Sequence, residues 1–163
     1  MTATKDFIRY TPQWTLRKYE NDDDYAAGRA YETTVIDGNL LLNEGIAVLL
    51  ALLTGGAGTA FNNANAFIGV GDTGTAEAAA QTGLSAPTNK LYKGMEATYP
   101  QIAAQTVTFR AVFGSAEANF DWNEFTVANG NSDAADNLNR KVSAQGTKAS
   151  GQTWTLDLQI TFS

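Results

Sequence analysis

The longest strict alternation of apolar and polar residues lies between Thr153 and Phe162, where every second side chain is apolar. A period of two is that of a β-strand with one buried and one polar face, and such strands are typical of antiparallel sheets. Shorter runs of the same alternation predict strands at about Trp14 to Tyr19, Tyr31 to Ile36 and Gln105 to Phe113.

Less regular patterns predict four further strands. Three of them are short and lie at Phe67 to Asp72, Lys93 to Tyr99 and Lys141 to Ala144. The fourth, Ala118 to Val127, contains a break in the alternation, because Phe120 and Trp122 share one face whereas Phe125 and Val127 share the other. One extra residue near Asn123-Glu124 would return both sets to the core, so the pattern predicts a β-bulge there.

The most apolar segment, Asn39 to Gly55, predicts the one substantial helix. One face carries apolar residues at helical spacing: Leu42, Ile46, Leu49, Leu50 and Leu53. The other side is apolar as well, and a helix that is apolar all round is covered on all sides. We therefore expect a central core helix, capped by Asn39 or Asn43 and ended by Gly55-Gly56. The alternative is a helix that a neighbouring subunit partly buries. In either case the apolar segment is too short to span a bilayer.

These elements predict a mainly β fold, an antiparallel β sandwich or barrel with one central apolar helix and an N-terminal arm. We expect residues 1–13 to form the arm and residues 14–163 a single β-rich domain. Phe7, Ile8 and Tyr10 are the only apolar anchors of the arm, so we expect them to contact a partner. The first residues are polar and predict no secretory signal.

Charge and composition exclude several classes of function. Seventeen acidic residues against eleven basic ones give a net charge of −6, which disfavours nucleic-acid binding. Cys and His are both absent, which removes thiolate metal sites and the commonest general base. Charged residues make up only 17% of the chain, below the usual share of about 25%. We therefore expect no cofactor, no nucleic acid and no membrane, and a surface that meets other protein.

Two motifs offer a ligand site and are better explained otherwise. Gly69, Gly71 and Gly74 match the spacing of a dinucleotide-binding loop, but no long helix or βαβ succession follows. The acidic run Asp22 to Asp24 could hold a cation, yet it lacks the spaced oxygen ligands of a calcium loop. A solvated hairpin turn is the preferred interpretation of that run.

Paired carboxylates are the remaining candidates for catalysis. Asp121 with Glu124, and Asp133 with Asp136, have the spacing of a pair, although charges at strand edges usually discourage wrong strand pairing. Because the supporting groups of an active site are missing, we predict that the protein is not an enzyme.

A sugar ring could stack on an aromatic side chain, and Trp122, Tyr92 and Tyr99 are the candidates. Core packing explains Trp122 better. Arg110 lies on the outward face of a Thr-rich strand, where it pairs with Asp121 or Glu124 or contacts a neighbouring subunit.

Four stretches together resemble a known group of proteins. They are Gly38 to Gly45; Asn63 to Asp72; Thr108 to Gly114 with Ala118 to Glu124; and Leu138 to Lys141 with Gly146 to Lys148 and Thr153 to Leu156. Over about residues 30–163 the chain resembles small structural proteins encoded by tailed bacteriophages. Such proteins are similar in size and β-rich character to head decoration, or cement, proteins, which commonly trimerise on the capsid. The resemblance supplies no site residues.

The resemblance implies a non-enzymatic virion protein, a decoration protein that stabilises the head lattice. It would bind the major capsid protein as a homo-oligomer such as a trimer. It would be assembled in the host cytoplasm and lie on the capsid surface. The segment Thr2 to Gln13 would dock on a capsid subunit. The alternative is a tail, fibre or baseplate subunit that contacts tail proteins or a glycan receptor. A carbohydrate-active enzyme using Asp121 and Glu124 is a third, weaker alternative.

Overall fold

A computed structural model describes residues 8–163 as two antiparallel five-stranded sheets packed face to face. In spatial order, sheet A contains β2 (Glu32–Asp37), β1 (Tyr10–Tyr19), β10 (Thr153–Phe162), β7 (Thr106–Phe113) and β6 (Gln101–Ala103). Sheet B contains β3 (Leu40–Leu41), β9 (Asn139–Val142), β8 (Glu124–Ala128), β4 (Phe67–Gly71) and β5 (Lys90–Gly94). The helices are α1 (Asp22–Ala26) and α2 (Asn43–Leu53). The predicted sandwich is therefore confirmed, and the sheets do not close into a barrel.

Inward side chains of both sheets form one core around three buried tryptophans. The ring of Trp122 lies 4.7 Å from that of Phe113 and 5.0 Å from that of Trp154, both edge to face. Trp14 packs on Phe125 at 5.7 Å. Because aromatic rings bury large apolar areas, this cluster joins the two sheets at the middle of the sandwich.

The alternation of β10 is confirmed as the organising pattern of sheet A. The strand pairs with β1 along all ten of its residues and with β7 along eight. Its apolar side chains from Trp154 to Ile160 face the core. The outward Thr153, Thr155 and Asp157 are buried as well, because α1 and the segment after β5 fold over this end of the sheet.

Several predicted strand boundaries were wrong. β5 and β9 begin three and two residues before the predicted Lys93 and Lys141. β8 begins only at Glu124, so the predicted bulge is absent, and Trp122 reaches the core from a loop. The sequence did not predict the short strands β3 and β6, which carry too few residues to show a period.

The helix α2 is present, and its predicted end is confirmed. Gly55 takes a left-handed conformation (φ 71°), and the N–H of Gly56 donates to the Ala51 carbonyl at 2.7 Å. The start differs from the prediction, since neither Asn39 nor Asn43 caps it. Leu42 precedes the first turn without a side-chain bond. Within residues 8–163 neither helix is long and apolar enough to span a membrane.

The predicted central position of α2 was wrong, because most of its apolar face points outward. Its buried residues are Gly45 and Val48. A Cβ on Gly45 would lie 2.4 Å from the Leu138 carbonyl oxygen, so only glycine allows the helix backbone to pack this closely. With this side against the sandwich, Leu50 and Leu53 are 57% and 81% exposed.

The predicted N-terminal arm is not confirmed, since β1 begins at Tyr10, inside its expected range. Met1 to Phe7 lie outside the described residues. The acidic run after β1 is also not the predicted open turn, because Asp22–Ala26 forms α1. Asn21 caps this helix through its side-chain oxygen, which accepts from the Asp24 N–H at 2.8 Å.

Candidate functional site

Exposed apolar side chains gather where α2 meets the edge of sheet A. We call the set Ile46, Leu49, Leu50, Leu53, Ile102 and Phe162 the apolar end surface. Beneath it lies a cleft of about 260 Å³, whose lining includes Tyr10, Leu49, Leu52, Phe61, Ile102 and Phe162. The side chain of Ile102 is 80% exposed. Contiguous exposed apolar surface on a folded protein is typical of sites that contact another molecule.

The helical part of the apolar end surface lies in the least charged part of the chain. No charged residue occurs between Glu44 and Asp72, a stretch that contains most of α2, the following loop and β4. A contact made here therefore depends on apolar burial and shape, because no ion pair from this stretch can contribute.

Of the predicted anchors, Tyr10 is fixed and Ile8 is free. The Tyr10 hydroxyl donates to Asn39 Oδ1 at 2.7 Å, its ring packs on Phe162 at 5.8 Å, and burial raises its pKa to about 12. Tyr10 is therefore a wall of the cleft. Ile8 is 79% exposed, and Phe7 lies outside the described residues.

Arg110 does face outward as predicted, but its predicted ion-pair partners were wrong. It binds Asp157 of β10 through Nε at 2.7 Å and Nη2 at 2.6 Å, and that carboxylate raises the pKa of Arg110. Its guanidinium also stacks on the Tyr99 ring at 4.7 Å. Arg17 reaches Asp157 at 2.9 Å. No local sequence pattern indicates this cluster, since its members are up to 140 residues apart.

Glu124 is a buried structural carboxylate rather than half of a catalytic pair. It is fully buried and accepts from Arg140 Nε at 2.8 Å and from the Ala86 backbone N–H at 2.7 Å. A Cβ on Gly71 would lie 2.5 Å from Glu124 Oε1, so this glycine makes room for the carboxylate. Asp121 is exposed and bonds to Thr147 instead. The two carboxylates do not share a cleft.

The second predicted pair is also separated. Asp133 accepts from the Tyr92 hydroxyl at 2.6 Å and pairs with Lys90, whereas Asp136 accepts from Asn129 at 3.2 Å. Burial and the Asp133 carboxylate raise the pKa of Tyr92. Of the tyrosines considered for sugar stacking, Tyr92 is thus held within the fold by Asp133. Tyr99 instead packs on the guanidinium of Arg110.

The ligand motifs considered from sequence have structural explanations. A Cβ on Gly69 would lie 2.7 Å from the Tyr92 ring, so close packing within sheet B accounts for this glycine. The segment 72–80 is not helical, so the helix that a dinucleotide site requires after these glycines is not formed there. Within residues 8–163 no group of three or more acidic residues is placed to hold a metal ion.

One buried amine stands apart from these ion pairs. Lys148 is fully buried, and its Nζ donates to the Gly114 carbonyl and to Asn119 Oδ1, both at 2.8 Å. Neither acceptor carries a charge. Burial lowers the pKa of Lys148 to about 8, because desolvation disfavours the ammonium form.

Comparisons with protein-family models, with curated proteins and with solved structures give no match. The predicted relation to phage structural proteins therefore stays a prediction that depends on the stretches quoted above.

Proposed function

We propose that this protein is a non-enzymatic structural subunit of a tailed-phage virion, a decoration protein that binds the capsid surface as a homo-oligomer. The observation that supports the proposal best is the apolar end surface. Leu53 and Ile102 remain about four-fifths exposed, although Ile102 and the Leu52 next to Leu53 line an apolar cleft. Water contact on such a surface is unfavourable by about 25 cal/mol for each Å² of apolar area, so a protein partner that covers it gains free energy.

The charge pattern supports a protein partner of low charge. The uncharged stretch between Glu44 and Asp72 offers no cation to a phosphate and no anion to a basic patch. The decoration role itself comes from the sequence resemblance, and the apolar end surface is the contact that we propose for it.

The test is binding to isolated expanded heads of the encoding phage, stripped of decoration and followed by co-sedimentation. The double variant Leu50→Glu, Leu53→Glu should lose binding, because two carboxylates would be desolvated at the contact. Both side chains are exposed in the isolated chain, so its Tm should change little. Val35→Glu is the matched control: Val35 is 55% exposed but lies on β2, outside the apolar end surface.

Wild-type protein that fails to bind heads would overturn the decoration role. Binding to tails or baseplates instead would support the alternative virion position. Unchanged head binding by the double variant would show that the apolar end surface is not the contact.

The predicted docking of the N-terminal segment needs a shorter truncation than Thr2 to Gln13. That deletion would remove Tyr10 to Gln13, which pair with β10. Deleting Thr2 to Phe7 preserves β1, and we expect weaker head binding at an unchanged Tm. Undiminished binding would confine the contact to the apolar end surface.

A further inference from the structure

The outer face of sheet A carries a second, chemically different concavity, which we call the polar pocket. Its floor consists of outward side chains of β1, β10 and β7, and its walls come from α1 and the segment after β5. It has a volume of about 240 Å³ and is lined by Arg17, Tyr19, Tyr25, Glu96, Arg110 and Thr155. None of these residues belongs to the apolar end surface.

A buried carboxylate fixes both arginines of the polar pocket. Asp157 is 4% exposed and binds Arg110 through two N–H groups and Arg17 through Nη1. Two parallel bonds hold a guanidinium in one orientation. Arg17 Nε and Nη2, and Arg110 Nη1, donate to no described residue, so N–H groups of both arginines remain for a ligand.

Hydrogen-bond acceptors stand opposite these donors. Glu96 Oε1 accepts from the Tyr25 hydroxyl at 3.0 Å, while Glu96 Oε2 has no partner among the described residues. The Thr155 hydroxyl on the floor likewise bonds to no residue of the described chain. Burial, and then the bond to Glu96, raise the pKa of Tyr25, so its hydroxyl stays a donor.

Aromatic rings complete the lining and its surroundings. Tyr19 and Tyr25 meet edge to face at 5.4 Å, and the ring of Tyr99 supports the guanidinium of Arg110. Tyr19 is buried, so Tyr25 is the lining ring that a ligand can contact. The convergent polar groups around it are of the kind that fix the orientation of a small ligand.

The charges decide which ligand class fits. The positive charges of Arg17 and Arg110 are balanced by the negative charges of Asp157 and Glu96, so a free anion gains little and meets two carboxylates. We propose that the polar pocket binds one neutral sugar residue, whose hydroxyl groups both donate and accept and whose ring carbons pack on tyrosine. The volume is below the roughly 300 Å³ at which pockets for drug-sized ligands begin, which limits the occupant to a single ring.

The test is a titration of isotope-labelled full-length protein, followed by NMR chemical shifts. The probes are methyl glycosides of glucose, galactose, mannose and N-acetylglucosamine, with N-acetylneuraminic acid and inorganic phosphate as anions. We expect at least one neutral glycoside to bind in the millimolar range and to shift the resonances of Arg17, Tyr25 and Thr155. No shift with any neutral glycoside, or shifts with the anions alone, would overturn the proposal.

Variants locate the binding. Glu96→Gln and Tyr25→Phe each keep the side-chain shape and remove one polar function, and each should weaken glycoside binding about tenfold or more. Gln159→Ala is the control, because Gln159 is exposed and lies on β10, the strand of Thr155, but outside the pocket. If Gln159→Ala weakened glycoside binding as much as Glu96→Gln does, the polar pocket would not be the binding site. Head binding does not enter this test, so it stands or falls apart from the decoration role.

Discussion

The two sheets each place an ion cluster on the outer side of their central strand, and the clusters differ in cover. In sheet B, Glu124 and Arg140 are both fully buried. In sheet A, Asp157 is buried, but the side chains of Arg17 and Arg110 are 34% and 29% exposed.

The difference follows from the loops rather than from the charges. The loop between β4 and β5 crosses sheet B and gives Glu124 the backbone N–H groups of Ser85 and Ala86. The same loop accepts from Arg140 through Ala76 and Gln81. In sheet A, α1 and the segment after β5 cover Asp157 but leave the guanidinium groups of Arg17 and Arg110 partly exposed. The ion pair of Glu124 with Arg140 therefore holds a loop against sheet B. The ion pairs of Asp157 hold two arginines at a solvent-accessible pocket on sheet A.

Removing the buried cation should have the largest effect. Arg140→Met leaves the Glu124 carboxylate buried without its cation, which costs about 3–5 kcal/mol when one partner of a buried pair is lost. We expect a free energy of unfolding lowered by about this amount in urea denaturation, with the loop over sheet B losing amide protection from hydrogen exchange.

The double variant Glu124→Gln, Arg140→Met sharpens this result. Because it removes both charges, it should recover a large part of the loss, as replaced buried pairs often do. A single variant that costs less than about 1 kcal/mol would contradict the contrast, since that is the range of an exposed pair.

Lys148 tests the intermediate case of a buried cation whose partners are neutral. Its pKa is lowered from 10.5 to about 8, so between these pH values the unfolded chain holds a proton that the folded chain lacks. Its contribution to stability should therefore rise with pH across this window, at about 1.4 kcal/mol per pH unit and up to about 3.5 kcal/mol in total. The measurement is the stability of the wild type minus that of Lys148→Met, followed by urea denaturation from pH 7 to 11.

The difference should be flat below pH 8, where both states are protonated. Because the other titrating groups are common to both proteins, they cancel. A difference that falls between pH 8 and 10.5 would show that the native fold favours the charged amine.

The same division into sheets explains what the sequence could predict. β10 and β7 were predicted correctly because alternation is a local signal, and β10 pairs along its whole length. The start of β8 was misplaced because Trp122 lies in the core although it precedes the strand, so the apolar positions suggested a longer strand. Periodicity identified α2 but not its orientation, which depends on the contact of Gly45 with Leu138. A glycine among large apolar residues was the one available hint.

The candidate sites were harder to predict because their contacts are not local in the sequence. The partners of Arg110 and Glu124 come from distant parts of the chain: Asp157 is 47 residues from Arg110, and Ala86 is 38 from Glu124. Residue types alone indicated ion pairing but not which carboxylate would be covered.

Loss of a partly exposed cation should have the smallest effect and completes the comparison. Arg17→Ala removes one contact of 2.9 Å to Asp157 and leaves the two bonds from Arg110 in place. We expect a cost of about 0.2–1 kcal/mol in urea denaturation. The cost should shrink when salt is raised, because counterions screen partly exposed pairs, whereas the cost of Arg140→Met should stay the same. If Arg17→Ala were as costly as Arg140→Met and independent of salt, the polar pocket would be closed to solvent and to any sugar.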